Sequence, residues 1–212
     1  MAKSGPRPAL RGSHSSTAKR DRVIDAAFQT LREEGFTHAS ARAVATRGGF
    51  NSGLIFYYFD SMNDLLVEAL ARSSRVQLAK YQDALADVTE LTELIASVRA
   101  RLRDDMASGH VKVLVELVGA GSSDERLRAA VFEQVEPWIK FTEQTLERVV
   151  EASELRGFVP ADQLSFAVVS LFLGMELLVE LSGGDGMVNG LLDSVQQLAG
   201  LVSAVLSNGG AR

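Results

Sequence analysis

The stretch Ser40–Phe59, SARAVATRGGFNSGLIFYYF, decides the fold of the N-terminal part of this chain. It predicts a helix, a glycine turn and a second helix, in the compact spacing of a helix-turn-helix. Gly48 and Gly49 break the first helix, because one residue of the turn must adopt a positive φ. Ala45 is small and lets this helix pack closely on the second. In such an arrangement the second helix lies in the major groove of DNA, with its first residues on the base edges.

Further helices flank this stretch on both sides. Gly35 stops an apolar pattern of helical period, and Ser40 and Asn51 are residue types that cap helix N-termini. Four helices are predicted here: Thr17–Glu34, a short helix after Ser40, Asn51–Tyr58, and a helix from Asp60 or Ser61 to Ala84.

The rest of the chain is predicted to form five more helices. Its apolar residues recur every three or four positions, and neither strand alternation nor an internal repeat is visible. Pro137 is expected to kink the third of the five. The chain is therefore predicted to be all-α with about nine helices. The five ranges are Thr89–Met106, His110–Val118, Asp124–Glu154, Gln163–Leu181 and Val188–Leu206.

The charge is distributed unevenly along the chain. Residues 1–60 carry nine Lys and Arg against five Asp and Glu, a net charge of +4, whereas residues 61–212 carry thirteen against twenty-two, a net charge of −9. A basic head on an acidic body indicates that the head meets a polyanion. Residues 1–16 are rich in Gly, Pro and Ser and are expected to be disordered. This tail is either inert or a basic arm that follows DNA.

Composition argues against several other classes of protein. The chain has no cysteine and three scattered histidines, so disulfides and a metal site are not expected. We find no Ser/His/Asp arrangement and no phosphate-binding glycine loop, so neither catalytic residues nor a cofactor are expected. The apolar stretch Leu164–Leu181 contains Glu176 and Glu180, which favours a buried core helix over a membrane span. No signal peptide is visible, so a cytoplasmic protein, associated with the nucleoid when bound to DNA, is expected.

The segment Arg20–Leu66 resembles the DNA-binding domain of the tetracycline-repressor (TetR) family almost without a gap. Each matching feature is weak alone, and their spacing together is specific. The remaining two-thirds of the chain resembles the family only in helix number and apolar pattern. The matching features are EEGF at Glu33–Phe36, Ser40-Ala41-Arg42, Ala45, Gly49, Asn51-Ser52-Gly53, Phe56–Phe59, Asp60-Ser61 and Asp64-Leu65-Leu66.

The resemblance implies which residues contact DNA. Of the two tyrosines in this set, one is expected to be mainly buried. The chain departs from the family at Phe56, usually Tyr, and at Met62, usually Lys, which puts two phosphate contacts in doubt. Leu54 replaces a small polar residue and can contact a thymine methyl. The implied DNA-binding residues are Lys19, Arg20, Ser40, Arg42, Asn51, Ser52, Gly53, Leu54, Tyr57 and Tyr58.

The resemblance also implies a division into regions: a tail 1–16, a helix-turn-helix domain 17–66 and a helical ligand-binding and dimerisation domain 67–208. Gln163–Leu181 and Val188–Leu206 would form the homodimer interface. His110, Glu116 and Glu176 are candidate polar anchors for a small hydrophobic or aromatic effector. The candidate ligand-binding residues are Met106, His110, Val113, Leu117, Trp138, Phe141, Phe172 and Met175, each of which can instead be ordinary core.

We therefore expect a transcriptional regulator, and more specifically a repressor that a largely apolar effector releases from double-stranded operator DNA. Two alternatives stay open. One is an all-α enzyme. The other is a helical ligand-binding or interaction protein that has lost DNA binding, which Phe56 and Met62 favour.

Overall fold

A computed structural model describes residues 11–151, 160–182 and 186–209. Within these residues there are nine α-helices, one short 3-10 helix at Phe36–His38 and no strand, which confirms the prediction of an all-α fold. The helices are α1 (Arg11–Glu34), α2 (Ala41–Gly48), α3 (Gly53–Tyr58), α4 (Met62–Ala84), α5 (Leu91–Ser108), α6 (His110–Gly121), α7 (Glu125–Glu151), α8 (Ala161–Ser182) and α9 (Gly186–Gly209).

The chain divides into two compact units, Met1–Leu70 and Ala71–Arg212, and the division falls within α4. In the first unit α1 packs against α2 and α3. The core of this unit consists of fully buried aliphatic side chains: Val23, Ile24, Leu31, Val44, Ile55 and Leu65. Burying each such side chain contributes about 1.5–3 kcal/mol, so this small core holds the helix-turn-helix together.

The turn between α2 and α3 has the predicted backbone geometry. Gly49 caps α2 with φ 63° and ψ 43°, the left-handed conformation in which glycine escapes the Cβ clash. Arg22 of α1 donates a hydrogen bond from Nη2 to the Gly49 carbonyl oxygen, at 3.2 Å. At the other end of α2, the Ser40 Oγ accepts a hydrogen bond from the Ala43 N–H. Glycine and serine thus perform the roles that the sequence predicted for them.

Helix α1 begins earlier than the sequence predicted. It starts at Arg11 instead of Thr17, so residues 11–16, expected to be disordered, are helical. No proline follows Pro8 in this segment, and the Tyr58 hydroxyl donates to the Ser16 carbonyl oxygen at 3.1 Å. Local sequence patterns cannot predict this hydrogen bond, because the two residues are far apart in the chain. The first ten residues of the tail lie outside the described residues.

In the second unit, α7 packs against α6 and α8, and α5 packs against α9. α7 runs as one helix through Pro137 to Glu151, and its predicted end at Glu154 lies outside the described residues. One apolar cluster in this unit joins residues of α4, α5 and α7 around Tyr81, Leu94 and Leu146. A second cluster joins Leu102 of α5 to α8 and α9. The helices thus surround an apolar interior.

Helix α8 is less buried than the sequence predicted. Many of its apolar side chains are exposed in the single chain, including Phe166, Leu171, Leu178 and Leu181. The expectation of a helix buried on several sides is therefore wrong for one chain, because its own unit covers only one side of α8. By length and hydropathy alone Ala161–Val179 passes as a membrane span, a test that core helices of soluble proteins also pass.

Candidate DNA-binding face and ligand cavity

Helix α3 presents one side to the core and the other to solvent. Ile55 is fully buried, whereas Phe56 and Tyr57 expose 55% and 76% of their surface. The Asn51 Oδ1 accepts a hydrogen bond from the Gly53 N–H at 2.8 Å, which satisfies one of the donors at the start of the helix. α3 therefore presents an exposed face of the kind that enters the major groove in a helix-turn-helix.

Exposure distinguishes the two adjacent tyrosines. Tyr58 is half-buried, and its hydroxyl bonds to Ser16 of α1. Tyr57 is exposed, and its ring and that of Tyr58 are arranged edge to face at a centroid distance of 4.8 Å. The hydroxyl that bonds to α1 is thus that of Tyr58. Less of the surface of Tyr58 than of Tyr57 is exposed, so Tyr58 is the mainly buried tyrosine of the two, as the sequence predicted.

Three arginines of the first unit differ in their surroundings. Arg47 forms ion pairs with Glu34 at 2.8 Å and Glu33 at 2.7 Å, and the hydrogen bonds that its guanidinium donates to these two carboxylates raise its pKa. Arg20 lies 3.5 Å from the Glu68 carboxylate and 5.1 Å from the Phe59 ring centroid. Arg42, by contrast, is exposed at the start of α2. Arg47 is therefore held by protein groups, whereas Arg42 is exposed and its contact with DNA stays a prediction.

The other residues that the resemblance implied as DNA contacts lie at the surface of the same unit. Leu54 is half-buried, and the others are exposed: Lys19, Ser40, Ser52 and Gly53. A Cβ at Gly53 would lie 3.1 Å from the Asn51 Oδ1, so glycine there keeps the start of α3 tight. Their role in binding stays a prediction.

The second unit encloses a cavity of about 350 Å³, within the size range of small-molecule sites. Helices α4 to α9 all contribute side chains, and most of them are aliphatic or aromatic. Five of the candidate ligand residues line it: His110, Trp138, Phe141, Phe172 and Met175.

Three candidate ligand residues lie elsewhere. α6 turns His110, Val111 and Leu114 to the cavity, whereas Val113 and Leu117 are fully buried on an adjoining side of the helix. At 3.6 residues per turn, Val113 lies about 100° around α6 from the middle of the cavity face. Met106 lines a separate open depression between α5 and α9. Assigning these three to the cavity was wrong, because an apolar stripe does not distinguish core from cavity wall.

Two serines of α4 hold the aromatic wall of the cavity. The Trp138 Nε1 donates to the Ser74 Oγ at 2.7 Å, and the Ser73 Oγ lies 3.2 Å from the His110 Nδ1. The His110 and Trp138 rings stack at a centroid distance of 6.0 Å. Burial lowers the pKa of His110 to about 4, so this imidazole is neutral at physiological pH. His110 can therefore exchange a hydrogen bond with a ligand without carrying a charge.

Two acidic side chains, Asp105 and Glu176, are buried in the second unit, and Asp105 lines the cavity. The Tyr81 hydroxyl donates a hydrogen bond to the Asp105 carboxylate, and burial raises the pKa values of both groups. Burial, followed by the charge of Asp105, raises the pKa of Glu176 to about 7. The Glu176 Oε1 and the Thr145 Oγ1 are buried without a hydrogen-bond partner. Glu116 of α6, the remaining candidate anchor, is half-buried and does not line the cavity.

Sequence reasoning missed several polar residues of the wall: Gln77, Tyr81, Asp105, Thr142 and Thr145. The sequence feature that could have identified them is a polar residue at a position where the helical pattern predicts an apolar one. Asp105 follows Val98 by seven positions on the stripe of α5, and Thr145 follows Trp138 by seven on α7. In the described part of the chain no group of three or more His, Asp or Glu could hold a metal ion.

Comparison with known proteins adds to this geometry. Residues 23–69 match the family described as bacterial regulatory proteins, tetR family. An uncharacterized HTH-type transcriptional regulator of Mycobacterium tuberculosis is 29% identical over 107 residues, 50% of this chain and 55% of that protein. The match thus spans about half the length of this relative. The HTH-type transcriptional repressor KstR of Rhodococcus jostii is 28% identical over 188 residues, 82% of this chain and 87% of that protein.

A solved structure supports the fold of most of the chain. The transcriptional regulator FadR from Bacillus subtilis, in complex with stearoyl-CoA, superposes with a TM-score of 0.72. The sequence identity is 16%, and the superposition covers 84% of this chain and 96% of that one. At this identity the likeness concerns the fold.

Proposed function

This chain belongs to the tetR family of bacterial regulatory proteins, and from that membership we propose that it is a repressor that a small apolar effector releases from operator DNA. The observation that carries the proposal is the exposed face of α3 behind a glycine turn, within the segment that matches the family. We further propose that the protein is cytoplasmic and acts on the nucleoid.

The basic residues of the first unit would attract the phosphates of DNA. The first sixty residues have a net charge of +4, and Lys19 and Arg42 are exposed in the same unit as α3. Neutralising phosphates releases bound counterions, so affinity for any duplex would fall steeply with salt. Specific binding would add contacts of Asn51, Ser52 and α3 with base edges.

The cavity favours an uncharged effector. Within the described residues its wall contains no Lys or Arg, and its one histidine is neutral at physiological pH. Asp105 lies in the wall and Glu176 beside it, so an anionic ligand would meet like charge. FadR from Bacillus subtilis binds stearoyl-CoA, whereas we propose for this chain a neutral, largely apolar or aromatic molecule with a hydrogen-bonding group.

The exposed apolar sides of α8 and α9 favour a homodimer. Leu178 and Leu181 of α8 and Leu198 and Leu201 of α9 expose more than half of their surface. Monomers rarely expose apolar patches of this extent, and a second copy of the chain is the occupant that suits a palindromic DNA site. We propose that α8 and α9 of two chains form a four-helix interface of roughly 2,000 Å² or more in total.

Helix α4 is the element through which an effector would act. Leu65 and Leu66 of α4 belong to the core of the first unit, whereas Tyr81 lines the cavity of the second and Ser74 bonds to the lining residue Trp138. A ligand that displaces Trp138 or His110 would shift the serines that bond to them. We propose that this shift changes the separation of the two recognition helices in the dimer.

Selection from a random duplex library with the purified full-length chain tests the proposal. We expect an inverted repeat with half-sites about one helical turn apart or somewhat more, bound with strong salt dependence. The second candidate function is a helical ligand-binding protein without DNA binding. The exposed Phe56 and the half-exposed Met62, where the family usually has Tyr and Lys, favour it. A selection that returns no palindromic site would support this candidate and contradict the repressor.

A further inference from the structure

The exposed face of α3 offers few hydrogen-bonding groups to DNA bases. The helix has the sequence GLIFYY and contains no charged or amide side chain. Ile55 faces the core, so Gly53 and Tyr57 lie at the middle of the outer face. Leu54 and Phe56 lie on its two sides, since successive residues are about 100° apart. The part of the motif that meets base edges is therefore largely apolar.

The residues around α3 do not replace the missing groups. The Asn51 Oδ1 already accepts a hydrogen bond from the Gly53 N–H, which ties this amide to the start of α3. The guanidinium of Arg47 is bound to Glu33 and Glu34. Guanine is most often recognised by two parallel hydrogen bonds from Arg or Lys, and α3 supplies neither residue. Readout of bases through charged side chains is therefore weak at this surface.

The apolar groups of this face need a partner when DNA binds. Phe56 exposes 55% of its surface, and Leu54 is half-buried. In the major groove, the C5-methyl of thymine is the apolar group that a base edge presents. Gly53, which has no side chain, lies beside Leu54 and allows the backbone to approach the groove closely.

Building on the proposed function, we propose that each half-site is read mainly through thymine methyl groups that pack against Leu54 and Phe56. Tyr57, between them, would reach the phosphate backbone or a base edge through its hydroxyl. Leu54 and Phe56 lie on opposite sides of the face, so they contact thymines at different positions. The specificity of this regulator thus depends on apolar burial, and Lys19 and Arg42 supply affinity without sequence preference.

Replacing thymine by uracil tests this inference, because it removes the methyl group and leaves base pairing unchanged. The operator selected from the random library is synthesised with uracil at one symmetric pair of thymines at a time. Loss of one buried methyl corresponds to about fourfold in affinity, so we expect about a 15-fold loss for a symmetric pair at two or more positions. Affinity is measured by gel shift at constant salt.

Protein variants assign each position to a side chain. At the position that Phe56 contacts, Phe56→Ala should bind the thymine operator and the uracil operator with equal affinity. Leu54→Ala should do the same at a different position, the one that Leu54 contacts. If Leu54→Ala does not fold, Leu54→Thr serves instead. Arg42→Ala is the matched control, since it should weaken binding to all these operators and keep every uracil effect.

The outcomes separate the two proposals. If uracil at every tested position changes the affinity of the protein for the operator by less than about twofold, the inference is overturned. The proposed function as a repressor is not affected by that result. Uracil effects that persist in both the Leu54 and Phe56 variants also overturn it. If the library yields no operator, the proposed function itself fails, and with it this inference.

Discussion

Arg42 and Arg47 lie on the same short helix and have different surroundings. Arg42 is exposed, whereas Arg47 is bound by Glu33 and Glu34. We predict that Arg42→Ala lowers affinity for any duplex and reduces the slope of log affinity against log salt by about one for each phosphate that the variant no longer binds. Arg47→Ala should instead lower the stability of the first unit by up to about 1 kcal/mol, because surface ion pairs contribute little.

Gel shifts at several salt concentrations and thermal unfolding followed by circular dichroism measure these two effects. Each variant is the control for the other, since both remove one positive charge from α2. Equal changes of the salt dependence in the two variants would contradict this assignment.

The carboxyl group of Glu176 makes stability depend on pH. Burial and the charge of Asp105 raise its pKa to about 7, so the folded protein binds its proton more tightly than the unfolded chain. Stability from this group is complete below its ordinary pKa of 4.5 and falls as the pH rises through 7. The raised pKa of Asp105 acts in the same direction, and the lowered pKa of His110 acts in the opposite one, below pH 6.5.

Glu176→Gln isolates the contribution of this residue. We predict that the variant is more stable than the parent by about 1–3 kcal/mol at pH 8 and hardly different near pH 4.5. Urea unfolding of both proteins at the two pH values measures the difference. A stability difference that does not vary with pH would mean that Glu176 is not a buried titrating group.

At the level of the helix, cavity walls and core walls respond differently to a large side chain. Leu114 lines the cavity, and Val113, one residue earlier on α6, is fully buried in close-packed core. We predict that Leu114→Trp fills the cavity and abolishes the response to effector, while the chain stays folded and binds operator. Val113→Trp should instead lose about 1–3 kcal/mol of stability through overpacking.

Thermal unfolding and calorimetric titration with effector distinguish these two variants. An unchanged effector response in a folded Leu114→Trp protein would show that the effector binds elsewhere.

Helices could be predicted from the sequence because their signals are local. The glycine of the α2–α3 turn and the cap at Ser40 depend on neighbouring residues, and the structure has both as expected. The cavity wall depends on residues distant in the chain. Tyr81 meets Asp105, and Trp138 meets Ser74, through contacts that no local pattern encodes. Periodicity therefore identified the inward side of α6 but not the part of it that borders the cavity.

For the whole molecule, the proposed assembly into a dimer rests on the exposed apolar surface of α8 and α9. Leu198 of α9 exposes 61% of its surface, and the adjacent Gln197 is exposed too. We predict that Leu198→Asp gives a monomer or an aggregate, because it places a charge within the apolar interface. Gln197→Asp, with the same added charge, should stay a dimer. Sedimentation measures both, and a wild-type chain that is monomeric at micromolar concentration would contradict the dimer.

The proposed dimer would also account for the exposed apolar side of α8, a helix that the sequence predicted to be buried on several sides. A helix that is apolar nearly all round was expected to be covered by its own chain, yet Leu178 and Leu181 are exposed. The sequence pattern indicates that a surface is to be buried and does not indicate which chain buries it.

Effector and operator should influence each other equally, because binding free energies are reciprocal. If effector weakens operator binding by a given factor, operator must weaken effector binding by the same factor, typically about 5–150-fold. We predict such a change when effector is titrated calorimetrically with and without operator. Equal effector affinities in the two titrations would mean that the cavity does not control the DNA-binding face.

The contact between Trp138 and Ser74 has a practical consequence. Trp138 is the single tryptophan of the chain, and it lies in the cavity wall, stacked on His110 and bonded through its indole N–H. Indole emission depends on the polarity and quenchers around the ring, so its colour and intensity report on this one place. A ligand that enters the cavity should therefore change the fluorescence of Trp138 in the unlabelled protein. Compound collections can be screened for effectors by this change alone, without an operator.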